Sequence, residues 1–302
     1  MTLPDTIIPH DARRRTIRRK PVAGPARAAC GTLGPVHARS ALFDLYGDHL
    51  LARGGCAPVA ALIRALEPLG IRGPAARTAI SRMVGQGWLE PVDLSPGQVP
   101  GYRLTHRARL RLEEAATRIY RTASGEWDGR WHVRVLAPVA ERSRRERIRN
   151  QLRFLGMAPI SDSTWVSPHA SAEVDQLRGE EELEVVCLTT TDAGPVPLLL
   201  EAFDLATLAT AYDAWQAEAT RLVGRLGADP DDRTAFVVRS ELVHSWRKFL
   251  FTDPGLPAPL LPPDWPGLRA AAFFDQHADR LLPAASRFID QCLTPTTAGV
   301  PA

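Results

Sequence analysis

The apolar positions in the first third of the chain repeat with the 3.6-residue period of a helix over three stretches, 40–52, 58–66 and 74–85. A Glu-Pro-Leu-Gly turn separates the second stretch from the third. Gly73 at the N-cap and Pro74 at the first helical position predict where the third helix begins, and two glycines predict where it ends. The pattern therefore predicts a helix-turn-helix, with the first helix supporting it from behind.

Beyond the third helix the pattern changes to that of two short strands. The segment 88–92 is typical of a strand, 93–101 is rich in turn residues, and 102–105 returns as a second strand. A helix over 106–120 is predicted next. A helix-turn-helix followed by a two-stranded ribbon is the winged variant of this motif. In such proteins the second helix of the helix-turn-helix, here the third predicted helix, enters the major groove of DNA.

The predicted third helix has an apolar face and a polar face that contains no acid. The polar face consists of Arg77, Thr78, Ser81 and Arg82. Guanidinium and hydroxyl groups suit phosphate oxygens and the acceptor edge of guanine, so we predict that these four residues contact DNA. Arg103 on the returning strand is predicted to contact a minor groove or its phosphates. The alternative is a solvated helix face, although such faces normally mix Glu with Lys or Arg.

The middle of the chain alternates between strand and helix patterns. A strand is predicted in 131–138, an amphipathic helix in 140–155, a returning strand within 158–166 and a strongly apolar strand in 182–190. This β-α-β arrangement with a final strand predicts a ferredoxin-like fold.

The last third of the chain is predicted to be helical. Helices are expected over 204–226, 232–251 and 269–293, with Asp204 as the N-cap of the first and a Pro-rich bridge at 254–266. Apolar helices joined by a stiff bridge suit dimerisation and the enclosure of a ligand. We therefore expect a homodimer.

Together these patterns predict an α+β protein made of a winged helix-turn-helix, a central ferredoxin-like α/β domain and a mainly helical C-terminal domain. The predicted boundaries are a disordered basic arm at 1–35, a DNA-binding domain with its linker helix at 36–122, the central domain at 123–193, a helical dimerisation and effector domain at 194–293, and a disordered tail at 294–302.

Charge is distributed unevenly along the chain, although the net charge is only +3. Seven Arg or Lys accompany two Asp in 1–35, twelve accompany seven acids in 36–122, and eighteen accompany twenty-five acids in 123–302. Positive charge on one predicted domain is expected when that domain meets a polyanion and the others do not.

Composition excludes several classes of protein. The chain has 302 residues, 45% of them hydrophobic, and no apolar run approaches the roughly 20 residues needed to cross a bilayer. Its four cysteines are widely spaced, and its N-terminus does not resemble a secretion signal, so we expect a cytoplasmic protein with reduced thiols and no bound metal. Nucleophile elbows, Walker A loops, HExxH and GxGxxG motifs are missing from the sequence, which argues against an enzyme and against a bound cofactor.

Several motifs resemble one known family. They are RTAISRM at 77–83, GWL at 87–89, YRLT at 102–105 and FTDPGLPAPLLPPDWPG at 251–267. Over residues 36–293 the chain resembles the PaaX family, repressors of phenylacetic acid catabolism. The third helix departs from the family pattern, because Arg-Gly-Pro stands where relatives commonly have a small hydroxyl cap and an acidic or polar neighbour.

The resemblance implies a repressor whose effector is an acyl-coenzyme A thioester, phenylacetyl-coenzyme A in the best-known members. Arg239, His244, Trp246 and Arg247 lie on one segment and offer cations for phosphates and an aromatic surface for a ring. His244 and Arg247 are three residues apart and share a helix face. The alternative is that Trp246 belongs to the core and the cations form its solvated rim.

These observations predict a DNA-binding repressor of a catabolic operon that releases double-stranded operator DNA when an aryl-acyl-coenzyme A binds. The alternative is a metal-dependent nuclease built on the central domain, since relatives of that domain occur in the small nuclease-like subunit of CRISPR adaptation complexes. Such a nuclease needs carboxylates near its first strand, and 131–138 contains none, so we favour the repressor.

Overall fold

The computed structural model describes residues 37–294 except for 95–98, 120–126, 172–173, 175–176, 180, 192–193 and 195. The predicted basic arm at 1–35, the wing tip and nearly all of the predicted tail lie outside the described residues. The fold is a mixture of helices and two antiparallel sheets, as the sequence predicts.

The three predicted N-terminal helices are present. They are α1 (Ala38–Leu45), which continues as a π-helical turn (Tyr46–Leu50) and a 3-10 turn (Leu51–Arg53), α2 (Val59–Leu66), which ends in a 3-10 turn (Glu67–Leu69), and α3 (Gly73–Gly85). Arg72 occupies the N-cap of α3, so the helix begins one residue earlier than predicted. Leu42, Leu45 and Tyr46 are buried, which confirms that α1 supports the hairpin.

The wing is a three-stranded sheet in the order β1-β3-β2. Its strands are β1 (Cys56–Pro58), β2 (Leu89–Leu94) and β3 (Val99–Leu104), and α4 (His106–Ile119) follows. The sequence did not predict β1, because we placed Pro58 in the second helix. Pro58 lies opposite Gly101 in the sheet, and a Cβ on Gly101 would stand 2.7 Å from the carbonyl oxygen of Ala57. This close approach requires glycine.

The central region has the predicted ferredoxin-like arrangement. Its elements are β4 (Trp131–Leu136), α5 (Arg142–Phe154), β5 (Ala158–Pro159), β6 (Thr164–Ser167), a helical segment at 174 and 177–179, and β7 (Val185–Thr190). The antiparallel strand order β5-β6-β4-β7 places the first strand between the third and the last, so the chain follows a βαββαβ path.

Both faces of the central sheet are covered, except at its edge strand β7. On one face, which we call the α5 face, Leu136 and Trp165 pack against Ile148 and Leu152 of α5. The opposite face packs against apolar side chains from the C-terminal part of the chain, namely Leu199, Phe203, Leu256 and Leu260. The edge strand β7 is exposed on both faces over 186–189.

Four helices form most of the C-terminal region: α6 (Val196–Leu200), α7 (Leu205–Val223), α8 (Asp232–Trp246) and α9 (Pro266–Leu293). Asp204 caps α7 by accepting a hydrogen bond from the Thr207 amide, as predicted. The first part of α9 packs with α7 and α8 around Trp215 and Trp246. None of the helices in the described part of the chain is long and apolar enough to span a membrane.

Candidate nucleic-acid interface

Helix α3 presents its polar face to solvent. Its inner face consists of Ala76, Ala79, Ile80 and Met83, all buried in the core formed with α1 and α2. Because side chains three and four positions apart share a helix face, burial of these four directs the polar residues outward. The four predicted DNA-contacting residues of this helix, Arg77, Thr78, Ser81 and Arg82, are all exposed.

The two arginines of α3 keep their charges available. Within the described part of the chain no carboxylate pairs with Arg77 or Arg82. The Arg77 guanidinium lies close to Gly73, because a Cβ added to this glycine would stand 3.2 Å from Nη1 of Arg77. The hydroxyl of Thr78 donates to the carbonyl of Pro74 at 3.0 Å, so its oxygen remains an acceptor. The face therefore offers two free guanidinium groups to an acceptor-rich surface.

Arg103 on β3 differs from the α3 arginines because it already has a partner. Its Nε and Nη2 lie 2.9 and 2.8 Å from Oε1 of Glu90, the residue directly opposite on β2. Both side chains are exposed, and exposed pairs contribute only about 0–1 kcal/mol. A phosphate oxygen would compete with this carboxylate for the guanidinium, and DNA contact by Arg103 stays a prediction.

Helix α4 adds further positive charge beside the end of α3. A cleft of about 60 Å³ is lined by Gln86, Gly87 and Trp88 together with Arg107 and Arg111 of α4. The Arg111 guanidinium lies 5.9 Å from the centre of the Trp88 ring. Periodicity did not reveal this cleft, because it forms only where the chain returns from the wing.

Arg239, one of the four residues predicted to bind an effector, is buried and forms an ion pair within the protein. Its side chain is 3% exposed and forms a two-pronged ion pair with Asp48, with Nε and Nη2 at 2.8 and 2.7 Å from the two carboxylate oxygens. Its Nη1 donates to the carbonyl of Ala278. Arg239 thus joins α8 to the π-helical turn after α1.

His244 and Arg247 both contact Asp44 of α1. His244 Nδ1 lies 2.7 Å from Oδ2 of Asp44, and Arg247 Nε lies 2.5 Å from Oδ1. The prediction that these two residues share a face is therefore confirmed. The sequence analysis missed Asp44 and Asp48, whose only signal was two acids four positions apart on a mainly apolar helix.

Trp246 lies in the core of the helical region, as the alternative interpretation of that segment held. It stacks on Phe274 with ring centres 4.9 Å apart, and its indole N–H donates to the carbonyl of Ile119 at 3.2 Å. Effector binding by Arg239, His244, Trp246 and Arg247 stays a prediction, and Arg239 and Trp246 are buried in the contacts described here.

Two buried groups in the π-helical turn after α1 have shifted pKa values. Burial lowers the pKa of His49, and the neighbouring Asp48 acts in the opposite direction. Burial also raises the pKa of Tyr46, whose hydroxyl donates to the carbonyl of Tyr102 and so ties α1 to the wing. Among the described residues no group of three or more His, Cys, Asp or Glu side chains is arranged to hold a metal ion.

Comparison with known proteins agrees with this arrangement. Residues 37–108 match the model of PaaX-like proteins, residues 124–197 that of the PaaX central Cas2-like domain, and residues 203–291 that of the PaaX-like C-terminal domain.

Two individual proteins are similar over most of the chain. The transcriptional repressor PaaX of Escherichia coli (strain K12) is 29% identical, covering 85% of this chain and 84% of the relative. The solved structure of the uncharacterized protein Rv0674 from Mycobacterium tuberculosis matches with a TM-score of 0.54 and 26% identity, over 86% of this chain and 100% of that one. With all three domain models matched in order along it, the chain belongs to the PaaX family.

Proposed function

We propose that this protein is a cytoplasmic transcriptional repressor that binds double-stranded operator DNA through α3. The observation that carries the proposal is the outward, acid-free face with Arg77 and Arg82, backed by a buried apolar face that fixes its orientation. The Escherichia coli relative is named a transcriptional repressor, which supports the same role. The proposal assigns the chain no catalytic activity and no cofactor.

The repressor acts as a homodimer in this proposal. Two-fold symmetry presents two copies of α3 to half-sites about one helical turn of DNA, or a multiple of it, apart. Arg77 and Arg82 supply the guanidinium groups for bases or phosphates, Thr78 and Ser81 supply hydroxyl oxygens, and Arg103 steadies the wing on the backbone.

The effector in this proposal is an aryl-acyl-coenzyme A, such as phenylacetyl-coenzyme A, that relieves repression of a catabolic operon. A ligand changes DNA affinity only if it binds one conformation better than another. Arg239, His244 and Arg247, on α8 and the turn after it, contact α1 and the turn after α1, which gives such a ligand a physical route from the helical region to the N-terminal helices.

Fluorescence anisotropy with DNA from upstream of the protein's own gene tests the DNA-binding role. The Arg77→Ala/Arg82→Ala variant is compared with Arg221→Ala/Arg280→Ala, which removes two exposed arginines from α7 and α9. We expect the α3 variant to lose about 1–3 kcal/mol of binding free energy for each base contact removed. Its slope of log K against log salt should fall by about one for each phosphate contact.

The control variant should retain both the affinity and the salt slope of the unmodified protein. Equal losses in the two variants would mean that only net charge matters, and unchanged affinity in the α3 variant would remove both arginines from the interface. Addition of phenylacetyl-coenzyme A to the protein–DNA complex then tests the effector separately.

A further inference from the structure

Arg134 in the middle of β4 is buried and forms no ion pair with any of the described residues. This residue is 7% exposed, its Nη1 donates to the carbonyl of Val133 at 3.2 Å, and its Nε has no hydrogen-bond acceptor among the described residues. No carboxylate in the part of the chain that the structure describes pairs with it. Burying a guanidinium without a partner is costly, and a bound anion would remove that cost.

The residues around Arg134 form two rows across the α5 face of the central sheet. Arg134 lies opposite Trp165 on β6 and Cys187 on β7, and His132 lies opposite Ser167 and Thr189 on the same two strands. Residues two apart on a strand share a face, so the His132 row continues the Arg134 row toward one end of the sheet.

The second row supplies polar groups that complement an oxyanion. His132 Nδ1 lies 3.3 Å from the Thr189 hydroxyl. Ser167 is buried and accepts a hydrogen bond from the His169 amide at 3.1 Å. A guanidinium beside an imidazole and hydroxyl groups is the donor set that proteins use for phosphate oxygens.

The site is open on the side of β7. The α5 helix covers Leu136 and Trp165, whereas Cys187 and Thr189 are exposed on the same face. Side chains directly opposite on antiparallel strands have Cβ atoms about 4.5–5.5 Å apart, so a small anion resting on Cys187 and Thr189 can reach Arg134.

The charges around this row favour an anion. The pKa of His132 is lowered first by burial and then by Arg134, while His169 and Arg130 act in the same direction and Asp128 opposes them. The negative charge of Asp128 is partly offset by Arg130, whose Nε lies 3.7 Å from Oδ2 of Asp128. Burial is the largest cause of the lowered pKa, and three of the four neighbouring groups named here, Arg134, His169 and Arg130, add to it, so the charges beside this row favour an anion.

We propose that Arg134, His132 and Thr189 form a binding site for the phosphate or pyrophosphate group of a small molecule. Arg134 supplies the charge, the Thr189 hydroxyl donates to a phosphate oxygen, and His132 donates through whichever ring nitrogen is protonated. The ligand is either a free phosphate compound or the nucleotide end of a coenzyme A ester. The site goes beyond the proposed DNA-binding role and does not depend on it.

The exposed thiol of Cys187 provides a direct test in the full chain. Alkylation of Cys187 by iodoacetamide is followed by mass spectrometry of its peptide, with the Cys56 peptide as an internal reference. Inorganic phosphate, pyrophosphate and acetyl-coenzyme A are compared with sodium chloride at equal ionic strength. At ten times its Kd a ligand should slow alkylation of Cys187 about tenfold.

Arg134→Gln should abolish this protection, while Arg142→Gln, which removes an exposed arginine at the start of α5, should leave it unchanged. If Arg134→Gln does not fold, Thr189→Val at an exposed position replaces it in the comparison. Protection by acetyl-coenzyme A at lower concentration than by pyrophosphate identifies the coenzyme as the source, and the reverse order identifies a free phosphate compound.

The proposal is overturned if none of the three phosphate compounds protects Cys187, if sodium chloride protects it equally, or if protection persists without the Arg134 guanidinium. Anisotropy with operator DNA is measured on the same samples. Loss of the anion site with intact DNA binding, or the converse, separates this proposal from the repressor role.

Discussion

Asp48 and Arg239 form a buried ion pair that joins the N-terminal helices to the helical C-terminal region. The carboxylate receives two hydrogen bonds, at 2.8 and 2.7 Å, from one guanidinium, and the two side chains are 6% and 3% exposed. Together with the contacts of Asp44, this pair joins α1 and the turn that follows it to α8.

Replacing Asp48 with Asn should destabilise the protein strongly, because Arg239 would stay buried without its counter-charge. Removing one partner of a buried pair typically costs about 3–5 kcal/mol. The measurement is the free energy of unfolding from urea titration followed by circular dichroism. Asp213→Asn is the matched control, since it breaks the exposed pair of Asp213 with Arg269 and should cost about 1 kcal/mol or less. Similar losses in the two variants would contradict the structural role of the buried pair.

His49 should make the fold sensitive to acid. Burial lowers its pKa in the folded protein below the value of about 6.5 in the unfolded chain. Above that pH both states hold a neutral imidazole, so His49 adds no pH dependence. As the pH falls through 6.5 the unfolded chain takes up a proton that the folded protein excludes. The free energy of unfolding should then fall, by up to about 1.4 kcal/mol per pH unit.

The comparison variant for this titration is His49→Phe, which removes the proton site and keeps a ring near Phe236, whose ring centre lies 5.6 Å away. The quantity measured is the difference in unfolding free energy between variant and parent from pH 8 to pH 5. That difference should move in favour of the variant below pH 6.5. A difference that stays constant with pH would assign the acid sensitivity to other groups.

Gly101→Ala should disrupt the wing. The added methyl group would approach the Ala57 carbonyl oxygen and the Leu94 side chain at 2.7 and 2.6 Å, and the backbone oxygen belongs to the neighbouring strand. We expect a lower Tm and weaker operator binding. Gly85→Ala is the control, because no atom lies within 4 Å of its added Cβ and alanine favours the helix by about 0.5–1 kcal/mol. An unchanged Tm for Gly101→Ala would show that the strands can separate without loss.

Asp44 should compete with an anionic effector if His244 and Arg247 bind one. Asp44→Asn removes the negative charge that both side chains contact, so phenylacetyl-coenzyme A should bind more tightly to this variant in isothermal titration calorimetry. Glu218→Gln, a change of equal charge on α7, serves as the control. Unaltered affinity in Asp44→Asn would place the effector away from these two residues.

The sequence was sufficient to predict the helices whose apolar positions repeat regularly. The spacing of Ala76, Ile80 and Met83 placed the polar face of α3 correctly, because burial of one face determines the direction of the other. The strand β1 could not be foreseen, since three residues carry no period and Pro58 also suits a helix start.

The ion-pair partners of the charged residues could not be predicted from the sequence, for a different reason. Asp48 and Arg239 are 191 positions apart, and nothing local distinguishes a buried pair from two solvated charges. The same limit applied to Arg134, whose burial depends on three strands and a helix that meet only in the folded chain.

Helix α9 runs for 28 residues, about 42 Å, and its last three turns place Ala285, Ile289 and Cys292 in the same core as α1 and α2. The core of the N-terminal helices is therefore completed by residues near the end of the chain. A nonsense mutation shortly before the Ala285 codon would yield a product in which the N-terminal helices lack part of their hydrophobic core. If the protein acts as the proposed repressor, such an allele should relieve repression of its target genes as fully as a deletion of the gene.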